Sequence, residues 1–162
     1  MSPPPLQDLL FEDLEQRQMV GESMPPRVFF YGDVGRIGAD LWVWAAGQGA
    51  ELVLRDGKAV GPRWVVDNAW AFDCMIVDAE YLEDLEDTVD FCMAVRRAVP
   101  ELRILLVSTE VRESDLSSAR MLACDATLKW PAGSQALAAA VRATIENHRW
   151  FLAACHGVNA PA

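Results

Sequence analysis

From Arg27 onward, short apolar runs alternate with stretches whose apolar residues recur every three or four positions. The runs Val28–Tyr31, Glu51–Arg55, Cys74–Val77, Arg103–Val107 and Ala126–Trp130 read as strands, each carrying β-branched or aromatic residues. The stretches between them, Ile37–Gln48, Pro62–Trp70, Leu85–Val99, Ser114–Ala123 and Ser134–Ala154, read as helices. Punctuation agrees with this division. Gly49 stands just past the first helix, Pro62 falls in a first turn where it is tolerated, and Pro100 stops the third. Ser134 reads as an N-cap for the last helix. Strand and helix alternating with short connections predict a doubly wound α/β fold with a mostly parallel sheet.

Residues 1–26 stand apart. Pro3–Pro5 can open a helix in which Leu6, Leu9, Leu10 and Leu14 share one face, opposite Asp8, Glu12, Asp13 and Glu15. Gly21–Pro26 reads as a linker. The expected division is an acidic arm over 1–26, a folded domain over 27–155 and a tail over 156–162.

A chain of 162 residues suits one domain, and six tryptophans suit a packed core. The net charge of −10 argues against a nucleic-acid partner held by phosphate neutralisation. Cys74, Cys92, Cys124 and Cys155 lie far apart with no CxxC pair, which predicts buried, reduced thiols in a cytoplasmic protein. No apolar run approaches the ~18 residues of a membrane span, and the acidic, proline-bearing N-terminus lacks a signal-peptide pattern. His148 and His156 read as surface residues without the neighbours of a metal or relay site.

The candidate chemistry gathers at AFDCMIVDAE, residues 71–80, where an apolar strand runs into Asp78. Open α/β sheets place their ligands at the carboxyl ends of such strands. The carboxylates after it, Glu80, Glu83, Asp84, Glu86, Asp87 and Asp90, suit the positive end of a helix dipole, or a docking face for a basic partner.

The order and spacing of these units resemble the receiver domain of bacterial response regulators over roughly residues 27–152. FDCMIVD matches the phosphoacceptor strand, RILLVST the fourth strand, and CDATLKWPAGSQALAAAVRATI the fifth strand with the last helix. The resemblance implies a five-stranded parallel sheet in order 2-1-3-4-5 and a cis peptide at Trp130–Pro131. It puts the phosphoacceptor at Asp78, the phosphate-contacting hydroxyl at Ser108, and Mg²⁺ on Asp33, Asp78 and the Glu80 carbonyl.

Three family positions are altered. One member of the acidic pair is Gly32, the aromatic switch position is Thr127, and the lysine position is Trp130. Lys129 comes one residue early, and alternation along a strand turns it to the other side of the sheet. Without that ammonium a phosphorylated state loses a charge-assisted contact of about 1.5–3 kcal/mol. The resemblance thus implies an atypical, stand-alone receiver-like domain, not an enzyme, that signals by protein–protein contact with a histidine kinase or a downstream effector. Two modes stay open: phosphorylation of a weakened Asp78, or a silent site in a constitutive adaptor.

A competing likeness lies in GDVGRIG, with Gly32, Gly35 and Gly38 between a strand and a helix and Arg55-Asp56 after the second strand. It is similar to the phosphate turn of short NAD(P)-dependent dehydrogenases. Asp33 would repel a pyrophosphate there, and neither Tyr31 nor Tyr81 has the lysine of a catalytic pair. On the last helix, Leu137, Val141, Ile145 and Leu152 form a core-facing stripe that Trp150 and Phe151 cannot both join. One exposed aromatic is therefore expected, on a surface suited to a homodimer or a partner.

Overall fold

Strand runs that are apolar at every position need cover on both faces, and the helices supply it. A computed structural model describes residues 26–56, 61–80, 85–117 and 123–155. The arm over 1–25 and the tail from 156 lie outside the described residues. In chain order come β1 (Arg27–Gly32), α1 (Val34–Gln48), β2 (Glu51–Asp56), α2 (Pro62–Asn68) and a 3-10 turn (Ala69–Ala71). Then follow β3 (Cys74–Asp78), α3 (Leu85–Ala98), β4 (Arg103–Ser108), β5 (Ala126–Lys129) and α4 (Ser134–Cys155). The five strands lie in the order β2-β1-β3-β4-β5, every pair parallel. This is the expected order, and the Trp130–Pro131 peptide is cis.

Side-chain alternation splits the core into two layers. Val28, Phe30, Cys74, Ile76, Leu105 and Val107 meet α1 and α4 through Ile37, Leu41, Trp44, Leu137 and Val141. Phe29, Tyr31, Met75, Val77, Ile104 and Leu106 meet α2 and α3 through Val65, Phe91, Cys92 and Val95. Cys74, Cys92 and Cys124 are buried thiols. Burial pushes the Cys74 thiol up to about 12, and Cys92 upward as well.

The start of the expected helix over Ser114–Ala123 is not helical. Asp115 instead bridges Thr127 in antiparallel sense, with both backbone hydrogen bonds at 2.8 Å. Its carboxylate accepts from the Ser117 N–H at 3.0 Å, while the Ser114 hydroxyl accepts from the Lys129 N–H at 2.9 Å. Short polar side chains that bond nearby backbone compete with helix formation, and here they cover the edge of β5. Residues 118–122 lie outside the described residues.

One buried polar cluster ties α3 and α4 to the start of β4. The Asp125 carboxylate accepts from the Ile104 N–H at 2.8 Å and is ion-paired with Arg96, whose Nη2 lies 2.6 Å away. His148 Nδ1 lies 3.1 Å from the same carboxylate, and the Asn147 amide donates to the Asp125 carbonyl at 2.7 Å. Phe151 closes the cluster, its ring 4.2 Å from the Arg96 guanidinium carbon. His148 is thus a core residue and not the surface residue expected. Removing one partner of a buried ion pair strands the other charge. Asp125→Ala should therefore lower unfolding free energy by about 3–5 kcal/mol in urea titrations. A loss under about 1 kcal/mol would mean that the cluster does not anchor the helices.

Candidate functional site

The carboxyl ends of β1, β3 and β4 meet at Asp78. Its side chain is completely buried, although it ends a strand at the sheet rim. A carboxylate without solvent must be paired and hydrogen-bonded. Asp78 Oδ2 accepts from the Asp33 N–H at 3.2 Å, and Oδ1 from the Glu80 N–H at 3.2 Å. The Arg36 guanidinium forms an ion pair with Oδ1 through Nη2.

Local sequence explains how Arg36 gets there. Asp33 leaves β1 in extended geometry and caps α1, its side chain accepting from the Gly35 N–H at 3.0 Å and the Arg36 N–H at 3.2 Å. The capped helix begins at Val34, three residues before the apolar spacing starts, so Arg36 lies in the first turn beside the rim. Gly32 makes the close approach of β1 and β3 feasible. A Cβ there would lie 2.3 Å from Asp78 Cβ and 2.8 Å from the Phe30 ring. The missing member of the acidic pair thus coincides with a position that has no room for a side chain.

Glu80 turns back toward β4. Its Oε1 accepts from the Ser108 hydroxyl at 2.6 Å, the Thr109 N–H at 2.7 Å, the Glu110 N–H at 3.0 Å and the Thr109 hydroxyl at 3.2 Å. Its Oε2 lies 3.7 Å from Arg36 Nη2. Burial alone would raise the Glu80 carboxyl, but these hydrogen bonds outweigh it and hold the group below its ordinary value. For Arg36, burial works against the charge, and Asp78 first, with Glu80 and Asp33, more than restores it.

Trp130 is buried in the layer with Ile76 and Val107. Lys129 is exposed, and its ammonium donates to the Arg112 carbonyl at 2.9 Å. Thr127 is buried beside Cys124 and Asp115. The structure therefore brings Asp33, Asp78, Glu80 and Ser108 to one rim and leaves Lys129 outside. Arg36, Thr109 and the Glu80 side chain belong to the site as well. Arg36 stands three residues after Asp33 in the first turn of α1, facing a rim that has lost an acid at Gly32. That spacing is the signal that points to it.

Mg²⁺ needs oxygen ligands open to it in near-octahedral array. Here Asp33 caps a helix, and both Asp78 oxygens accept hydrogen bonds with a guanidinium on one of them. The residues as placed do not fit the ion. The glycine turn is also filled, because the Asp33 carboxylate takes the Gly35 and Arg36 N–H groups that would face a pyrophosphate.

The strand order is that of a receiver-type α/β fold. No protein-family model matches the chain, and no curated protein matches it by sequence. Among solved structures, it is similar to a response regulator receiver domain protein from Clostridium thermocellum. The TM-score is 0.59 at 18% identity, over 78% of this chain and 98% of that one. It is also similar to the chemotaxis response regulator CheY4 of Vibrio cholerae, with TM-score 0.56 and 18% identity over 74% and 98% of the two chains. A putative pilus assembly-related protein from Burkholderia pseudomallei gives TM-score 0.56 and 25% identity, over 75% of this chain and 90% of that one. The chain has the receiver fold.

Two outcomes test the rim. The depressed Glu80 value means that its contribution to stability is full above the ordinary carboxylate range and is lost as pH falls through the lowered value. Thermal melts should show that acid loss, and Glu80→Gln should flatten it; an unchanged pH profile would contradict the assignment. Restoring the acid by Gly32→Asp should cost about 1–3 kcal/mol, because the new Cβ overlaps Asp78. Urea titration would read it.

Proposed function

We propose that the chain is a receiver-fold domain that works by protein–protein contact in bacterial two-component-type signalling, and not as an enzyme. The observation that carries the reading is a completely buried Asp78 at the end of β3 with Ser108 at the end of β4, in the receiver strand order. In this reading Asp78 is the phosphoacceptor position and Ser108 the hydroxyl that would meet a phosphate, while Asp33, Asp78 and the Glu80 carbonyl hold the family's metal positions without being free to ligate an ion as they stand. Phosphoryl transfer at such a site depends on positioning and on cations that neutralise developing charge. Arg36 already engages Asp78, and a buried tryptophan stands where the lysine would be. Asp78 is then a weakened acceptor at most, and the output surface works largely without it.

In this reading that surface lies on α4. Trp150 is 45% exposed, whereas Phe151 is half-buried against Arg96 and His148. A large exposed aromatic late on a helix suits a contact with a signalling protein, kinase or effector, or with a second copy of this chain. The acidic charge supports a protein partner over nucleic acid. Among the described residues no helix is long and apolar enough to cross a membrane. The Burkholderia neighbour, a putative pilus assembly-related protein, supports a bacterial setting. The dinucleotide reading is not favoured, since the Asp33 cap fills its turn.

Sedimentation across a concentration series tests the reading. Association that Trp150→Ala weakens severalfold, with an unchanged circular dichroism spectrum, is the expected result. Phe151→Ala should instead lower stability. A chain that stays monomeric, with Asp78 stoichiometrically phosphorylated by acetyl phosphate, would replace the contact module by an ordinary phosphorylation switch.

A further inference from the structure

We propose that Arg36 and Glu80 are resident stand-ins for the two ligands of a receiver site, the guanidinium for the cation and the Glu80 carboxylate for the phosphoryl anion. The domain then holds one rim conformation without either ligand.

The cation side rests on three observations. Asp78 is buried and its charge is matched by Arg36 alone among the described cations, since Lys129 is bonded to the Arg112 carbonyl. The Asp33 carboxylate is turned to the α1 backbone. The position that would carry a further acid is Gly32, where Asp78 Cβ itself fills the space. A divalent ion would have to displace the guanidinium and find its ligands elsewhere.

The anion side rests on Glu80. A phosphoryl group on Asp78 would reach for the Ser108 hydroxyl and the N–H groups opening the next loop. Those donors are already spent on Glu80 Oε1, which gathers the Ser108 and Thr109 hydroxyls with the Thr109 and Glu110 N–H groups. Charge-assisted bonds of this kind are the strong ones, and four converge on one oxygen. Arg36 Nη2 lies between Asp78 Oδ1 and Glu80 Oε2, so it couples the two carboxylates across the rim. The carboxyl ends of β3 and β4 are thereby tied together with no added ion.

The inference rests on the receiver reading of the fold but not on the surface used for contact. Amide NMR of the full chain tests it. In the native protein, neither Mg²⁺ alone nor Mg²⁺ with beryllium fluoride should shift the Ser108, Thr109 and Glu110 resonances. Arg36→Met should create Mg²⁺ binding at least about tenfold tighter than in the native chain, because Asp78 loses its charged partner. Glu80→Gln should move the three loop amides, and combined with Arg36→Met it should admit the Mg²⁺–fluoride complex. Native Mg²⁺ binding with shifts at Asp33 and Asp78 would overturn the cation half. Loop amides indifferent to Glu80→Gln would overturn the anion half. Should Arg36→Met fail to fold, the native titrations and Glu80→Gln still decide each half. Loss of self-association in Trp150→Ala bears on neither.

Discussion

A carboxylate sealed at the end of a central strand has to be neutralised where it stands, and this constraint shapes the whole rim. Arg36 can reach Asp78 only because α1 starts at Val34, and α1 starts there because Asp33 caps it. The strands can approach closely enough only because residue 32 is glycine. Such a pair adds little net stability, since desolvation offsets most of its Coulomb energy. What it contributes is specificity: Asp78 without Arg36 would be an unpaired charge with no water. The partial exposure of Arg36 leaves room for the guanidinium to swing out, which a fully enclosed pair would not allow.

The sheet carries a second sealed carboxylate at its opposite end. Asp125 precedes β5 and binds the Ile104 N–H next to the start of β4, whereas Asp78 lies where β3 stops. The two are answered differently. Asp125 is enclosed by Arg96, His148, Asn147 and Phe151, all from helices packed on the sheet, and its arginine is as buried as it is. Asp78 is answered from one loop and one helix turn that remain partly open. A closed cluster fixes how helices sit; an open one can be altered by a ligand or a substitution. This contrast supports reading the Asp78 end as functional and the Asp125 end as architectural.

Much of the fold was legible because strand runs and helical spacing rarely conflict in this chain. Cys74–Asp78 and Arg103–Ser108 are apolar enough to demand two covering layers, and both layers are present. The turn of Lys129 away from the site followed from strand alternation and the position of Pro131. Legibility failed where side chains overrule local pattern. The stretch from Ser114 read as a helix, yet Ser114 and Asp115 spend their polar groups on β5 and Ser117. His148 looked like a surface residue because its partner, Asp125, lies on another element. Arg36 and the Glu80 side chain were missed for a similar reason. Composition shows that an acid and a lysine are absent from their family positions, but not which neighbouring side chains move in.

The long final helix joins these threads. Its first half packs Leu137, Ala140 and Val141 against β4, β5 and α1, the ordinary duty of a covering helix. Farther along, Asn147, His148 and Phe151 reach the Asp125 cluster, which fixes the rotation of the helix about its own axis. With Phe151 turned inward onto Arg96, Trp150 lies about 100° away around the helix and must face outward. The exposed tryptophan is thus a consequence of a buried ion pair. Packing at the Asp125 end sets where Trp150 stands, at the other end of the sheet from Asp78.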